Sequence, residues 1–352
     1  MLRVFLLAGT AICAGSSTIL HAQTSVGMPD PQQASETSEI IVTGTRSAGR
    51  EALASSAPID VVTAEALSSG GFTDLGRSLN FLEPSINFAR SQTTATAANT
   101  RPVTLRGLSP DQTLVLVNGK RRHANAVLNV NNSIGRGAAA VDLDTIPESA
   151  IDHIEILRDG AAAQYGSDAI AGVVNIILKS NASGGSGDLI AGVTEQGDGD
   201  NLSANLTGGI SLGDGGHLTL SGSFRTQRPT NRAHVDQRYN RVTYRIGDPD
   251  ATVGSVAYDL SVPMGDLELY SFATITRKIS NNGAGFRIPG FSPVYPNGFL
   301  PIIEPRIWDF GVAAGVKGKI GGINVDLSET FGDNKANFYV RSEEHTSELQ
   351  SH

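Results

Sequence analysis

VTLRGLSPDQTLVLVNGKRRH at residues 103–123 is followed, after a Gly/Ala-rich loop, by VDLDTIPESAIDHIEILRDGAAAQYGSDAIAGVVNIILK at 141–179. Leu114 to Val117 is a short apolar run closed by Asn118-Gly119, a dipeptide that supplies the two positive-φ positions of a tight hairpin, and Lys120 to His123 returns. Thr145-Ile146-Pro147-Glu148 places proline at a first helical position with an acid in the first turn. A brief helix is therefore expected there, before Ile151 to Arg158 extends as a strand that Asp159-Gly160 stops. Gly172 to Leu178 supplies another strand, so short strands and short helices alternate in a small α+β domain. Upstream, Ile59 to Thr63 reads as the first strand of this domain, and Asp74 to Phe81 as a helix opened by Thr73 and closed before Pro84.

TLRG at 104–107, LVLVNG at 114–119 and IEILRDGAAAQYGSDAIAGVVNIILK at 154–179, in this order, resemble the plug of TonB-dependent outer-membrane receptors. The resemblance implies a plug domain over residues 57–180 that sits inside a large β-barrel and blocks its lumen. It also implies partners: TonB, energised through ExbB and ExbD by the proton-motive force, would pull on the plug. Two arginines at strand ends, Arg106 and Arg158, are the candidates for a latch to carboxylates of the barrel wall, with solvated surface arginines as the competing reading. Long irregular stretches at 91–100 and 125–141 suit recognition loops, and Asn129, Asn131, Asn132 and Arg136 are the candidate ligand contacts, against a plain solvated spacer. Gly135-Arg136-Gly137 is no phosphate loop, because it lacks a Gly-Lys-Ser/Thr ending and a following helix.

At 352 residues the chain has room for two or three domains, and its 40 glycines and 6% aromatic content suit turn-rich β structure. A net charge of −8 gives a nucleic-acid partner no electrostatic support. The single cysteine, Cys13, lies in an apolar leader, which excludes a thiol enzyme and leaves no disulfide for the remainder. The histidines have no metal-ligand spacing and no Ser, His and Asp grouping has motif context, so neither an enzyme nor a cofactor is expected. Met1 to Ala22 has the basic start, apolar core and small-residue end of a secretory signal. Residues 23–56 form a polar tail in which Glu39-Ile40-Ile41-Val42-Thr43-Gly44 stands out. Its β-prone residues suit pairing with a sheet edge, and it resembles a TonB box, the alternative being an ordinary first strand.

Beyond the hinge at 180–187 the period becomes two. Leu202, Ala204, Leu206, Gly208 and Ile210 share one face, while Ser203, Asn205, Thr207, Gly209 and Ser211 share the other. Leu218 to Arg225, Trp308 to Lys317 and Ile323 to Ser328 repeat the alternation. Tight links at 213–216, 263–266 and 321–322 trade places with long ones at 228–250 and 279–305, the short-inside, long-outside scheme of an outer-membrane barrel rather than a soluble sandwich. The long links carry Tyr239, Tyr244, Phe286, Phe291, Tyr295 and Phe299, either ligand contacts or interface anchors. The expected fold is thus a small α+β plug followed, over 187–340, by an incomplete antiparallel transmembrane β-barrel with about eight of the about 22 strands such receptors use. Arg341 to His352 turns abruptly polar and resembles a translated sequencing adapter, so an N-terminal fragment with an artefactual end is expected. The expected function is a receptor in the outer membrane of a Gram-negative cell, in contact with lipid, that binds and imports a scarce small molecule such as a ferric siderophore, cobalamin or an oligosaccharide. A signalling or adhesive barrel is the alternative.

Overall fold

A computed structural model describes residues 40–41, 50–51, 59–88, 97–130, 135–158 and 162–342. The first half contains β1 (Ile40–Ile41), β2 (Arg50–Glu51), β3 (Ile59–Thr63), α1 (Ala64–Ser69), α2 (Leu75–Leu82), β4 (Ile86–Phe88), β5 (Val103–Leu105), β6 (Thr113–Val117), β7 (Lys120–Arg121), β8 (Ile151–Leu157), α3 (Ala162–Tyr165) and β9 (Gly172–Leu178). Five of these strands form one sheet in the order β3-β8-β9-β6-β7, with β6 and β9 parallel and the other pairs antiparallel. Asn118 and Gly119 take φ of 47° and 75°, so the hairpin between β6 and β7 turns where the Asn-Gly pair predicts.

Strand β9 is apolar on both sides because both sheet faces are covered. Val174 and Ile176 pack with Val115, Val117, Ile154 and Ile156 beneath Leu67, Leu75 and Leu79 of α1 and α2, while Val173 packs with Leu114, Leu116 and Leu157 on the opposite face. Leu79 is completely buried. The helix carrying it opens one residue later than expected: Asp74, not Thr73, accepts from the Arg77 amide at 3.1 Å. Asp74 is the last extended residue, and its carboxylate is held by side chains described below. The brief helix expected at 145–148 is two single 3-10 turns, Leu143–Thr145 and Glu148–Ala150, because the intervening Ile146 and Pro147 are extended.

The second half is one antiparallel meander: β10 (Gly185–Gly192), β11 (Asn201–Ser211), β12 (His217–Gln227), β13 (Asp250–Met264), β14 (Leu267–Gly283), β15 (Pro301–Ile320) and β16 (Ile323–Ser342). These are seven strands where about eight were expected; the long links at 228–249 and 284–300 add only isolated bridges. Three connections, 193–200, 228–249 and 284–300, emerge at one end of this wall, and the short ones, 212–216, 265–266 and 321–322, at the other. The alternation sorts polar inward. Ser203, Asn205 and Thr207 are buried while Leu202, Leu206 and Ile210 are exposed, and Thr219, Ser221 and Arg225 are buried while Leu220 and Phe224 are exposed. A water-soluble sheet buries its apolar face; this one turns it outward and lays its polar face against the first domain, as lipid on the other side requires. Residues 341–342 continue β16, pairing with Ile302 and Pro301, and residues 343–352 lie outside the described residues.

Candidate functional site at the seam between plug and wall

The polar inner face of the wall meets the first domain in a chain of buried charges. Arg101 reaches Asp74 at 2.7 Å, and Arg225 of β12 reaches Asp74 at 3.3 Å and Asp144 at 2.9 Å. Lys278 of β14 stands 2.8 Å from Asp144 and 3.0 Å from Asp142. Three carboxylates and one guanidinium on the domain side leave two negative charges there, and the wall supplies two cations. Five of the six are buried, Lys278 with only 2% of its side chain exposed, and Arg101 keeps 13% of its side chain exposed. Local turns aim the carboxylates. Asp142 caps the 3-10 turn that contains Asp144, and its Oδ1 also accepts from the Arg101 amide at 2.8 Å.

Burial opposes ionisation of Asp144, but the charges of Arg225, Lys278 and Arg101 outweigh it and hold its carboxyl well below the usual range. Burial likewise opposes ionisation of Asp74, and Arg101 with Arg225 overcomes it. Glu148, beside Asp144 and Arg225 in the seam, has no such partner within bonding distance among the described residues. Burial, aided by Asp74, Asp188 and Asp144 and only partly offset by Arg225, pushes it up to about 7.

Further contacts follow the seam along the wall. Towards the short connections Asn118 donates to Asp259 at 2.7 Å, His217 meets the same carboxylate at 2.8 Å, and Lys120 pairs with Asp326 at 2.7 Å. Towards the long connections Arg77 approaches Asp248 at 3.4 Å. Between them Arg122 and His123 both engage Asp309 of β15. The long connections are knit by aromatic rings and arginines: Tyr239 lies 5.1 Å from Phe286, Arg241 stands over Phe286 and donates to the Gly298 carbonyl, and Tyr295 packs 4.5 Å from Phe299.

Such a domain, held by ion pairs against an inside-out antiparallel wall, has the arrangement of a plug against part of a barrel, and the family model of the TonB-dependent receptor plug domain matches residues 51–173. Residues 51–173 are thus a plug domain of the TonB-dependent receptor type. The receptor is 40% identical over 101 residues to the probable TonB-dependent siderophore receptor PirA of Acinetobacter baumannii, covering 27% of this chain and 13% of that one. It is 30% identical over 207 residues to the ferrienterobactin receptor of Escherichia coli, covering 53% of this chain and 26% of the relative. Over 118 residues it is 35% identical to the vitamin B12 transporter BtuB of Vibrio cholerae, covering 33% and 17%. A crystal structure of a ferric enterobactin receptor variant from Pseudomonas aeruginosa with enterobactin superposes with a TM-score of 0.62 at 16% identity, over 81% of this chain and 45% of that one. The receptor chain thus spans about a quarter or less of these curated relatives and under half of the solved one. This architecture places it in the Gram-negative outer membrane.

In the receptor the strand-end arginines point elsewhere than into the seam. Arg158 clamps Asp60 of its own plug, at 2.6 and 2.9 Å, and Arg106, at a φ of 56°, donates to the Ile170 carbonyl at 3.5 Å. Ile40 and Ile41 of the TonB-box segment pair with Glu51 and Arg50; Glu39, Val42, Thr43 and Gly44 lie outside the described residues. Asn129 is 2% exposed, its backbone bonded to Ala138 and Gly137, whereas Arg136 is exposed; Asn131 and Asn132 lie outside the described residues. The seam residues Asp74, Asp142, Asp144, Arg225, Lys278 and Asp309 were not singled out from sequence. Their one local signal is a charge on the face of a strand that otherwise carries Ser, Thr and Asn, as at Arg225 and Lys278.

Proposed function

We propose that this receptor binds a scarce solute at the long-connection end and admits it to the periplasm when TonB, with ExbB and ExbD, displaces the plug. The observation that supports this reading is the seam itself. A plug meant only to close a barrel is held most economically by apolar packing, whereas buried opposite charges are individually costly and separate into two hydratable surfaces once water enters. The segment at 39–44 is the proposed handle: Ile40 and Ile41 are already in strand conformation, paired among the described residues with Glu51 and Arg50, which suits transfer to a partner's sheet edge.

A ferric siderophore is the substrate class this reading favours. Three relatives at 30–40% identity are receptors for such ligands, beside the vitamin B12 transporter at 35%, and the long connections combine arginine with aromatic rings, a surface suited to an anionic chelate. The test is uptake of iron presented as ferric enterobactin, with cyanocobalamin alongside, by cells carrying the membrane-inserted receptor. Ile41→Pro, which removes a backbone donor and fixes φ, is expected to abolish uptake while surface binding persists. Uptake of cyanocobalamin alone would reassign the substrate. Binding with no uptake in the unaltered receptor would favour a signalling or adhesive barrel.

A further inference from the structure

Two glycines of the wall, Gly311 on β15 and Gly332 on β16, stand directly opposite each other in register. A side chain at either would collide with the plug. A Cβ added to Gly311 would overlap the Arg122 guanidinium, and one added to Gly332 would overlap the His123 ring and come within 2.8 Å of the His123 Cβ. Neither glycine has a positive φ, so the backbone there suits any residue, and glycine is present for the space it leaves. Polar groups close the notch on the plug segment. His123 Nε2 lies 2.9 Å from Asp309 Oδ2, and Asn334 donates to the same oxygen at 2.7 Å while accepting from the Ala126 amide at 2.8 Å. Arg122 donates to Asp309 and, at 2.7 Å, to Thr274 of β14. Three adjacent wall strands therefore grip one short plug segment by shape as well as by charge.

We propose that Gly311 and Gly332, with Asp309 and Asn334, form a seat that receives Arg122 and His123 and fixes the depth and register at which the plug docks in the barrel. The seat differs from the ionic seam in kind. Charges pair at many separations along a wall, but a notch one glycine pair wide accepts a ring at a single position. The role goes beyond the transport reading and is independent of which solute is carried.

The test is steric complementation in the membrane-inserted receptor, read as entry of vancomycin into the cell, with heat-modifiable gel mobility reporting a folded barrel. Gly332→Ala is expected to unseat the plug and raise vancomycin entry about tenfold, the scale of an overpacked contact. His123→Gly removes the three atoms nearest to the new methyl. The double variant Gly332→Ala/His123→Gly is therefore expected to be tighter than Gly332→Ala alone, matching His123→Gly by itself, and to recover insertion if Gly332→Ala alone prevents it. Gly254→Ala, where an added Cβ meets nothing within 4 Å, is expected to match the unaltered receptor. A Gly332→Ala receptor as tight as the unaltered one, a double variant no tighter than the single one, or equal leakage from Gly254→Ala would each overturn the seat.

Discussion

Lys278 and Glu148 show how a single side chain sets the strength of the seam. The Lys278 ammonium has two carboxylates and almost no water, so Lys278→Met leaves Asp142 and Asp144 facing each other with one compensating charge fewer. Removing one partner of a buried ion pair costs about 3–5 kcal/mol, and the plug is expected to become protease-sensitive at a correspondingly lower urea concentration. Asp142→Asn in the same receptor should recover part of that loss; no recovery would mean that Lys278 acts by packing alone. Glu148 works in the opposite sense. Its carboxyl is raised from 4.5 to about 7 in the docked plug, so the docked form holds a proton that the free form releases between those pH values. The contribution of Glu148 to docking is therefore most favourable below about pH 4.5 and is lost as pH rises to about 7, opposite in sign to the contributions of Asp74 and Asp144, which are lost in acid. Glu148→Gln is expected to remove this slope and to strengthen docking above pH 7 by on the order of 1–2 kcal/mol. The same urea titration repeated from acid to neutral pH checks it, and an unchanged slope would rule Glu148 out as the titrating group.

At the level of elements, patterns confined to a few neighbouring residues were legible in the sequence and pairings across the chain were not. Ile59–Thr63 and Gly172–Leu178 are strands with the expected bounds, and the Asn118-Gly119 turn has the expected left-handed pair, because propensity and turn chemistry act over a few residues. The two faces of β11 and β12 were also legible, since alternation is local, as was the long and short sequence of connections. Which charges meet was hidden: Arg225 and Asp144 are 81 residues apart and Lys278 and Asp142 are 136 apart, and alternation gives a side chain's face without its partner. Arg158 shows the same limit. A strand-end arginine is visible in sequence, but the register that sets Ile59 opposite Leu157 delivers it to Asp60 of the neighbouring plug strand. Both side chains of that pair are about one-third exposed, so Arg158→Ala is expected to cost under about 1 kcal/mol of plug stability and to leave vancomycin entry unchanged. Arg225→Ala, made in parallel, is expected to admit it; leakage from Arg158→Ala but not from Arg225→Ala would reverse this ranking of the two arginines.

For the molecule as a whole, the decisive property is that the wall is inverted relative to a soluble sheet. Leu206, Leu220 and Val256 stand on the outer face at 69%, 50% and 53% exposure, while Arg225, Lys278 and Asp309 face the plug. In water this arrangement would be doubly unfavourable, leaving apolar area hydrated and charge buried. With lipid outside, the apolar surface loses its penalty, and the inner polar groups are satisfied by a plug whose own surface is charged. Plug and wall are therefore complementary halves of one design, and the membrane is the third component. Depth-dependent substitution tests this directly. Leu220→Arg, at the outward face of β12, is expected to lower the urea midpoint of the folded, heat-resistant wall by an amount equivalent to about 2–4 kcal/mol if that site is near the bilayer midplane. Ile323→Arg, beside the short 321–322 turn, should cost no more than about 1 kcal/mol, because an arginine there reaches the interface. A soluble wall would give the opposite order or none, since an exposed leucine replaced by arginine in water changes stability little. Equal tolerance at Leu220 and Ile323 would thus contradict the lipid-facing assignment of β12 and, with it, the reason the polar face of the wall turns to the plug.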